Sequence, residues 1–182
     1  VAIEDLLGRD PVPPTPELLG PGIRDAVVCV TGAGGSIGSE LCRQILQLAP
    51  KSLILLESSE PSLYAVEQEL RQQLPPSVEI LPILGSAADS ALVQRLFISH
   101  GVQTVFHSAA YKHVPLVEAN PLAGLANNVG STRVVCQAAV VAGVGELVLI
   151  STDKAVRPTN VMGASKRLAE LVVQASAVEL SK

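Results

Sequence analysis

Residues Val27–Glu40, VVCVTGAGGSIGSE, constrain the fold more than any other stretch, because a short apolar run empties into a glycine-rich turn that opens a helical pattern. Gly32, Gly35 and Gly38 fall at a G-x-x-G-x-x-G spacing. Gly32 would permit the tight turn, Gly34 and Gly35 the close approach of a pyrophosphate, and Gly38 the packing of the new helix on its strand. Ser36 and Ile37 would add N–H groups at the positive helix end. A dinucleotide is the expected ligand; a turn with no ligand is the alternative.

The rest of the chain continues the strand–helix alternation. The patterns predict a helix over Ser36–Ala49 with Ile37, Leu41, Ile45 and Leu48 on its inner face, and a strand over Leu53–Glu57. A helix opened by Pro61 and running to Leu74 comes next, then a strand Val78–Leu84 broken by Pro82, and a helix Asp89–Ser99 capped by Ser86. Val102–His107 reads as a fourth strand and Glu146–Ser151 as a fifth. A long helix lies between them, capped by Asn120, opened by Pro121 and running to Ala142. A last helix spans Val161–Val178 with Leu168, Leu171 and Val172 inward. Right-handed crossovers then give an α/β fold, a Rossmann-type doubly wound parallel sheet flanked by helices on both faces, over residues 25–182. Residues 1–24, with five prolines and a docking turn at Ile3, Leu6 and Leu7, read as an extended lead-in.

Composition narrows the partners. Hydrophobic residues make up 48% and aromatics only 2% of the 182 residues, so Val, Leu, Ile and Ala must fill the core. A net charge of −4 with no basic run excludes nucleic acid and an anionic membrane surface as expected partners. No apolar run reaches the ~20 residues of a membrane span. Cys29, Cys42 and Cys136 have neither disulfide nor metal spacing, so they are expected to be reduced, the compartment to be the cytoplasm, and no metal to be bound. With Val1 first and Met162 the sole methionine, the chain is expected to be a piece of a longer protein.

Functional side chains should gather at the carboxyl ends of the strands. Glu57, 19 residues past Gly38, stands where an acid binds the adenosine ribose hydroxyls, which favours NAD over NADP; an exposed strand-end glutamate is the alternative. Strand four runs into His107–Glu118, HSAAYKHVPLVE, where Ser108, Ala109 and Ala110 suit a backbone close to a cofactor. Tyr111, Lys112 and His113 come next with no period to hide them, so the alternative is a solvated loop. Strand five runs into Ser151–Arg167, STDKAVRPTNVMGASKR.

Together with NNVGST (Asn127–Thr132), these stretches resemble the extended short-chain dehydrogenase/reductase superfamily, and within it the CapD-like nucleotide-sugar 4,6-dehydratases of polysaccharide biosynthesis. The resemblance implies an NAD-dependent lyase, with NADP as the alternative cofactor, that converts a UDP-N-acetylhexosamine to its 4-keto-6-deoxy sugar. It implies that Thr152 holds the 4-oxygen, Asp153 protonates the departing 6-hydroxyl, Lys154 takes the carbon 5 proton, and Lys166 binds the nicotinamide ribose. Ser58 would join Glu57 at the cofactor, and Tyr111, Lys112, His113 and Asn128 would meet the substrate. Met162 stands where the superfamily has its tyrosine base, as in the long CapD-like branch. Ser86 stands at the position of an adenine-contacting aspartate, and Ser131 replaces the glycine of N-V-x-G-T. Longer members carry a membrane region ahead of the part resembled by Val1–Gly22, which implies a parent anchored at the inner membrane with this domain facing the cytoplasm. A homo-oligomer is compatible with this. The sugar-binding region would lie outside this chain, so the piece alone should bind cofactor without turnover. A nucleotide-sugar epimerase and a non-catalytic dinucleotide sensor are the competing readings.

Overall fold

The computed structural model describes residues 20–73 and 78–180, with backbone alone for 179 and 180. The docking turn expected at Ile3, Leu6 and Leu7 lies outside the described residues. Strands β1 (Val27–Thr31), β2 (Ser52–Glu57), β3 (Glu79–Leu84), β4 (Thr104–His107) and β5 (Glu146–Leu149) form one sheet of order β3-β2-β1-β4-β5. Every pairing is parallel, with Val28 opposite both Leu53 and Thr104. Helices α1 (Ser36–Gln47), α2 (Glu60–Gln72) and α3 (Ser90–His100) connect the first strands, and α7 (Val161–Leu180) closes the described chain.

The period-2 alternation of the central strands sends their side chains to two separate cores. Val28, Val30, Leu53 and Leu55 pack with Cys42, Ile45 and Leu46 of α1 and Leu63, Val66 and Leu70 of α2. On the opposite face Cys29, Ile54 and Leu56 pack with Val93, Leu96 and Phe97 of α3 and with Val135 and Ala138 of a later helix. Phe97 is the one aromatic fully buried among the described residues, so the core is aliphatic as the composition required. All three cysteines are buried and free.

Several local expectations are corrected. Ile37 is 56% exposed, and the inward face of α1 is Gly38, Cys42, Ile45 and Leu46, because its first turn overhangs the crevice rather than the core. Pro82 does not break β3: an edge strand paired only with β2 has no second ladder to lose. Asp89, not Ser86, caps α3, accepting from the Leu92 N–H at 3.0 Å. The HVPLVEA stretch is helical, α4 (Val114–Ala119), and the Asn120 amide turns back to donate to Leu116 O instead of capping the next helix. The long helix is interrupted, running as α5 (Pro121–Leu125), a π turn (Ala126–Gly130) and α6 (Ser131–Ala142). In α7 the buried positions are Met162, Gly163, Ser165, Lys166 and Ala169, while Leu168 and Leu171 are 45% and 43% exposed.

Candidate active site

The chain leaves the sheet in opposite directions after β1 and β4, so a crevice opens between their carboxyl ends. There Gly32 adopts φ +67°, and a Cβ on it would stand 2.7 Å from the Ala109 backbone; the two strand ends approach each other only because Gly32 has no side chain. Gly38 lies against the Gly32 carbonyl, and Gly34 packs on Ser62 of α2. Gly35 differs, since a Cβ there would meet only Gly32 O at 3.3 Å. Gly35, at the N-cap of α1, supplies no side-chain cap, which leaves the first N–H groups of the helix without a side-chain acceptor.

Two adjoining cavities occupy the crevice. One of about 240 Å³ is lined by the glycine turn with Glu57, Ser58 and Ser86. Glu57 Oε2 accepts from Gly34 N–H at 3.0 Å, and its Oε1 from Ser58 and Ser59 N–H at 2.8 and 2.9 Å, so the carboxylate ties the turn to the end of β2. The other, of about 370 Å³, brings together Ile37, Tyr111, Thr152, Lys154, Met162 and Lys166, along with Lys112. Ser108 and Ala110 border both cavities, and Ala109 the first. Gly163 lets the start of α7 rest on the Lys154 carbonyl, where a Cβ would clash. Lys166 is 6% exposed and donates to Ile150 O at 2.7 Å; burial lowers its pKa from the ordinary lysine value, opposed by Glu170.

Three expected site residues lie elsewhere. The Asp153 side chain is 90% exposed and does not line the cavity; the Thr152 hydroxyl, then the Lys154 charge, hold its carboxyl below the usual range. His113 faces a neighbouring apolar cavity of about 420 Å³ against Leu116 and Val117. Asn128, expected to touch substrate, is 1% exposed with its amide hydrogen-bonded within the protein. Its Oδ1 accepts from Tyr111 N–H at 2.7 Å, and its Nδ2 donates to Tyr111 O at 3.0 Å and Ser165 Oγ at 2.9 Å. Ser165 in turn donates to Met162 O. Asn128, carried on the π turn, therefore clamps the Tyr111 loop to α7.

A buried polar chain beneath the crevice was missed from sequence. Thr132 donates its only hydroxyl proton to Asn128 O at 2.7 Å, so at 3.1 Å from His107 Nε2 its oxygen accepts. The neutral ring then carries its proton on Nε2, and Nδ1 accepts from the Thr31 hydroxyl at 2.6 Å. Ser131, 3.4 Å from the same Nε2, places its hydroxyl in this chain, which gives the replaced glycine a structural use. Burial, then the Lys166 charge, pushes the His107 pKa down to about 3. The unfolded imidazole titrates near 6.5, so this contribution to stability is complete above pH 6.5 and is lost as pH falls from 6.5 towards 3. Urea unfolding should show about 2 kcal/mol less stability at pH 4.5 than at 6.5 from this group alone. His107→Gln should flatten the pH slope by that amount; an equal slope in both proteins would contradict a neutral buried ring.

A five-stranded parallel sheet with this turn and crevice defines a Rossmann-type α/β domain of the extended short-chain dehydrogenase/reductase class. The chain belongs to a family of polysaccharide biosynthesis proteins, whose sequence profile matches residues 28–182. It is 42% identical over 182 residues, all of this chain and 30% of that protein, to the capsular polysaccharide biosynthesis protein CapD of Staphylococcus aureus. Among solved structures it resembles DesIV, a dTDP-glucose 4,6-dehydratase from Streptomyces venezuelae with NAD and TYD bound. That match has TM-score 0.72 and 27% identity, over 85% of this chain and 52% of DesIV. It also resembles the UDP-glucose 4-epimerase from Bifidobacterium longum in complex with NAD⁺ and UDP, at TM-score 0.72 and 25% identity, over 84% of this chain and 49% of that one. The chain thus spans about a third of CapD and half of either enzyme. No helix among the described residues is long and apolar enough to cross a membrane.

Proposed function

We propose that this chain is the NAD-binding domain of a nucleotide-sugar 4,6-dehydratase that acts on a UDP-N-acetylhexosamine in bacterial surface polysaccharide synthesis. The observation that carries the reading is Lys154 facing one cavity with Thr152, Met162 and Lys166, next to the glycine-turn cavity. The residues present fit a dinucleotide: uncapped N–H groups of α1 would meet the pyrophosphate, and Glu57 the adenosine ribose, where a 2′-phosphate would face a like charge. Lys166 would hold the nicotinamide ribose. The chemistry such a cofactor would supply is uptake of the carbon 4 hydride and its return at carbon 6.

The chain's own groups supply the proton chemistry. Thr152 would hydrogen-bond the 4-oxygen, and Lys154 would remove the carbon 5 proton. Asp153 would protonate the leaving hydroxyl once the sugar covers it, because losing water raises a carboxyl that is now held low. Met162 offers no proton acceptor, so it would pack and not titrate. Lys154 would take the 4-hydroxyl proton as the hydride leaves and pass it to Asp153, whose Oδ1 lies 3.5 Å away, before taking the carbon 5 proton. An epimerase needs only oxidation at carbon 4 and gives carbon 5 deprotonation and protonation of a leaving hydroxyl no place. Three free thiols fit a reducing cytoplasm, with any membrane anchor lying in the intact protein outside this domain.

The test is mass spectrometry of the intact enzyme incubated with UDP-N-acetylglucosamine. Loss of one water from the sugar nucleotide is expected. An isobaric product would replace this reading with the epimerase, and unchanged substrate with the sensor.

A further inference from the structure

The two helices that begin at the crevice start in opposite ways. α1 opens without a side-chain cap, whereas α7 opens with two side-chain acceptors. Asn160 Oδ1 accepts from the Gly163 N–H at 2.8 Å, and the Glu118 carboxylate accepts from the Val161 N–H. A carboxylate at this end also answers the positive pole of a 20-residue helix. The start of α7 is thus closed to a ligand anion, while that of α1 is left open to one.

Glu118 reaches α7 from the last turn of α4, across 43 residues of sequence. α4 begins directly after Tyr111, Lys112 and His113, and the first two of these form one wall of the 370 Å³ cavity. The first two turns of α7 supply Met162 and Lys166 on the facing wall. Asn128 ties the two walls at the buried side, and Glu118 ties them at the solvent side, where it lines neither crevice cavity.

We propose that Glu118 is a positioning residue of the dinucleotide site, holding the Lys166 end of the crevice at its working width through the start of α7. This rests on the dinucleotide reading above. It makes the two halves of the ligand respond differently: the nicotinamide half meets Lys166, whereas the adenosine diphosphate half meets the glycine turn and Glu57, which Glu118 does not touch.

The test is calorimetric titration of the 182-residue chain with NADH and, separately, with ADP. Glu118→Ala should weaken NADH binding about fivefold, the effect of one hydrogen bond worth about 1 kcal/mol, and leave ADP affinity unchanged. Glu118→Gln keeps an acceptor and should restore NADH affinity to within about twofold. An equal loss for both nucleotides would mean a general structural defect, and unshifted NADH binding would mean an idle contact; either overturns the proposal. An unmodified chain that bound neither nucleotide would overturn the dinucleotide reading itself and this proposal with it.

Discussion

Gly35→Val is expected to abolish dinucleotide binding in a chain that still folds. The backbone at Gly35 is extended, φ −72° and ψ 167°, which valine adopts without strain. The new Cβ would meet only Gly32 O at 3.3 Å, a contact that a shift of a few tenths of an ångström relieves. The branched side chain would stand at the exposed mouth of the glycine cavity, over the N–H groups that would take the pyrophosphate. The affinity for NADH should fall by roughly 10²-fold or more, about 3 kcal/mol. The melting temperature should move by no more than about 2–4 °C, the equivalent of about 1 kcal/mol in a domain of this size. Gly38→Val is the contrast. Its Cβ would lie 2.0 Å from the Gly32 carbonyl, so either the turn or α1 must move, and the melting temperature should drop by about 6 °C or more. Circular dichroism melts and calorimetry on the two variants decide the matter: unchanged NADH affinity in folded Gly35→Val would place the ligand elsewhere.

Lys154→Ala in the intact enzyme should slow product formation by about 10²–10⁴-fold, the usual contribution of a positioned general base. Lys154 is half exposed, and its ammonium lies 3.5 Å from Asp153 Oδ1. Removing such an exposed pair should leave stability within about 1 kcal/mol, so lost activity would not reflect lost fold. Because the assigned task is proton removal at carbon 5, the variant should also lose incorporation of solvent deuterium there, read by mass spectrometry of the sugar nucleotide. Full activity, or slow turnover with undiminished deuterium exchange, would take the base role away from Lys154. Asp153→Asn separates the carboxyl role from the amine role: it should slow water loss yet keep exchange at carbon 5.

Much of this molecule is written locally. The β-branched run before Gly32 and the glycine spacing place β1, the turn and α1 within a residue or two, because backbone freedom and strand propensity depend on adjacent residues. Glu57, Ser108 and Lys154 could be placed at the crevice because strands in a parallel sheet end on one side, whereas Lys166, on α7, was placed there by the family resemblance. The faces of α1 and α7 were misread for a related reason. Leu168, Leu171 and Ile37 keep a helical period, but the period does not say which stretch of an apolar stripe meets the core and which overhangs an opening.

The π turn and Asn128 show where local reading stops. NNVGST supplies a polar residue on a helix, and its spacing is equally compatible with an amide facing substrate or facing protein. The answer depends on Tyr111, 17 residues earlier, and Ser165, 37 residues later, whose groups reach Asn128 only after the crossover has closed. His107 is similar: its strand position was legible, yet its neutral state comes from burial and the nearby Lys166 charge, and its tautomer from Thr31 and Thr132 arriving from two other elements. Glu118, which no sequence motif singles out, finds its partner only where α4 and α7 meet.

Sequence by itself therefore determined the strand–helix order, the glycine turn and the polar groups that end up along the sheet's carboxyl edge, since each derives from propensity, period or the geometry of a parallel crossover. Tertiary structure decided which of those groups share a cavity, which are consumed in holding the cavity's walls, and which protonation state each keeps. The physical reason is that hydrogen-bond satisfaction and desolvation depend on neighbours brought from far along the chain, and no local pattern of residues encodes them.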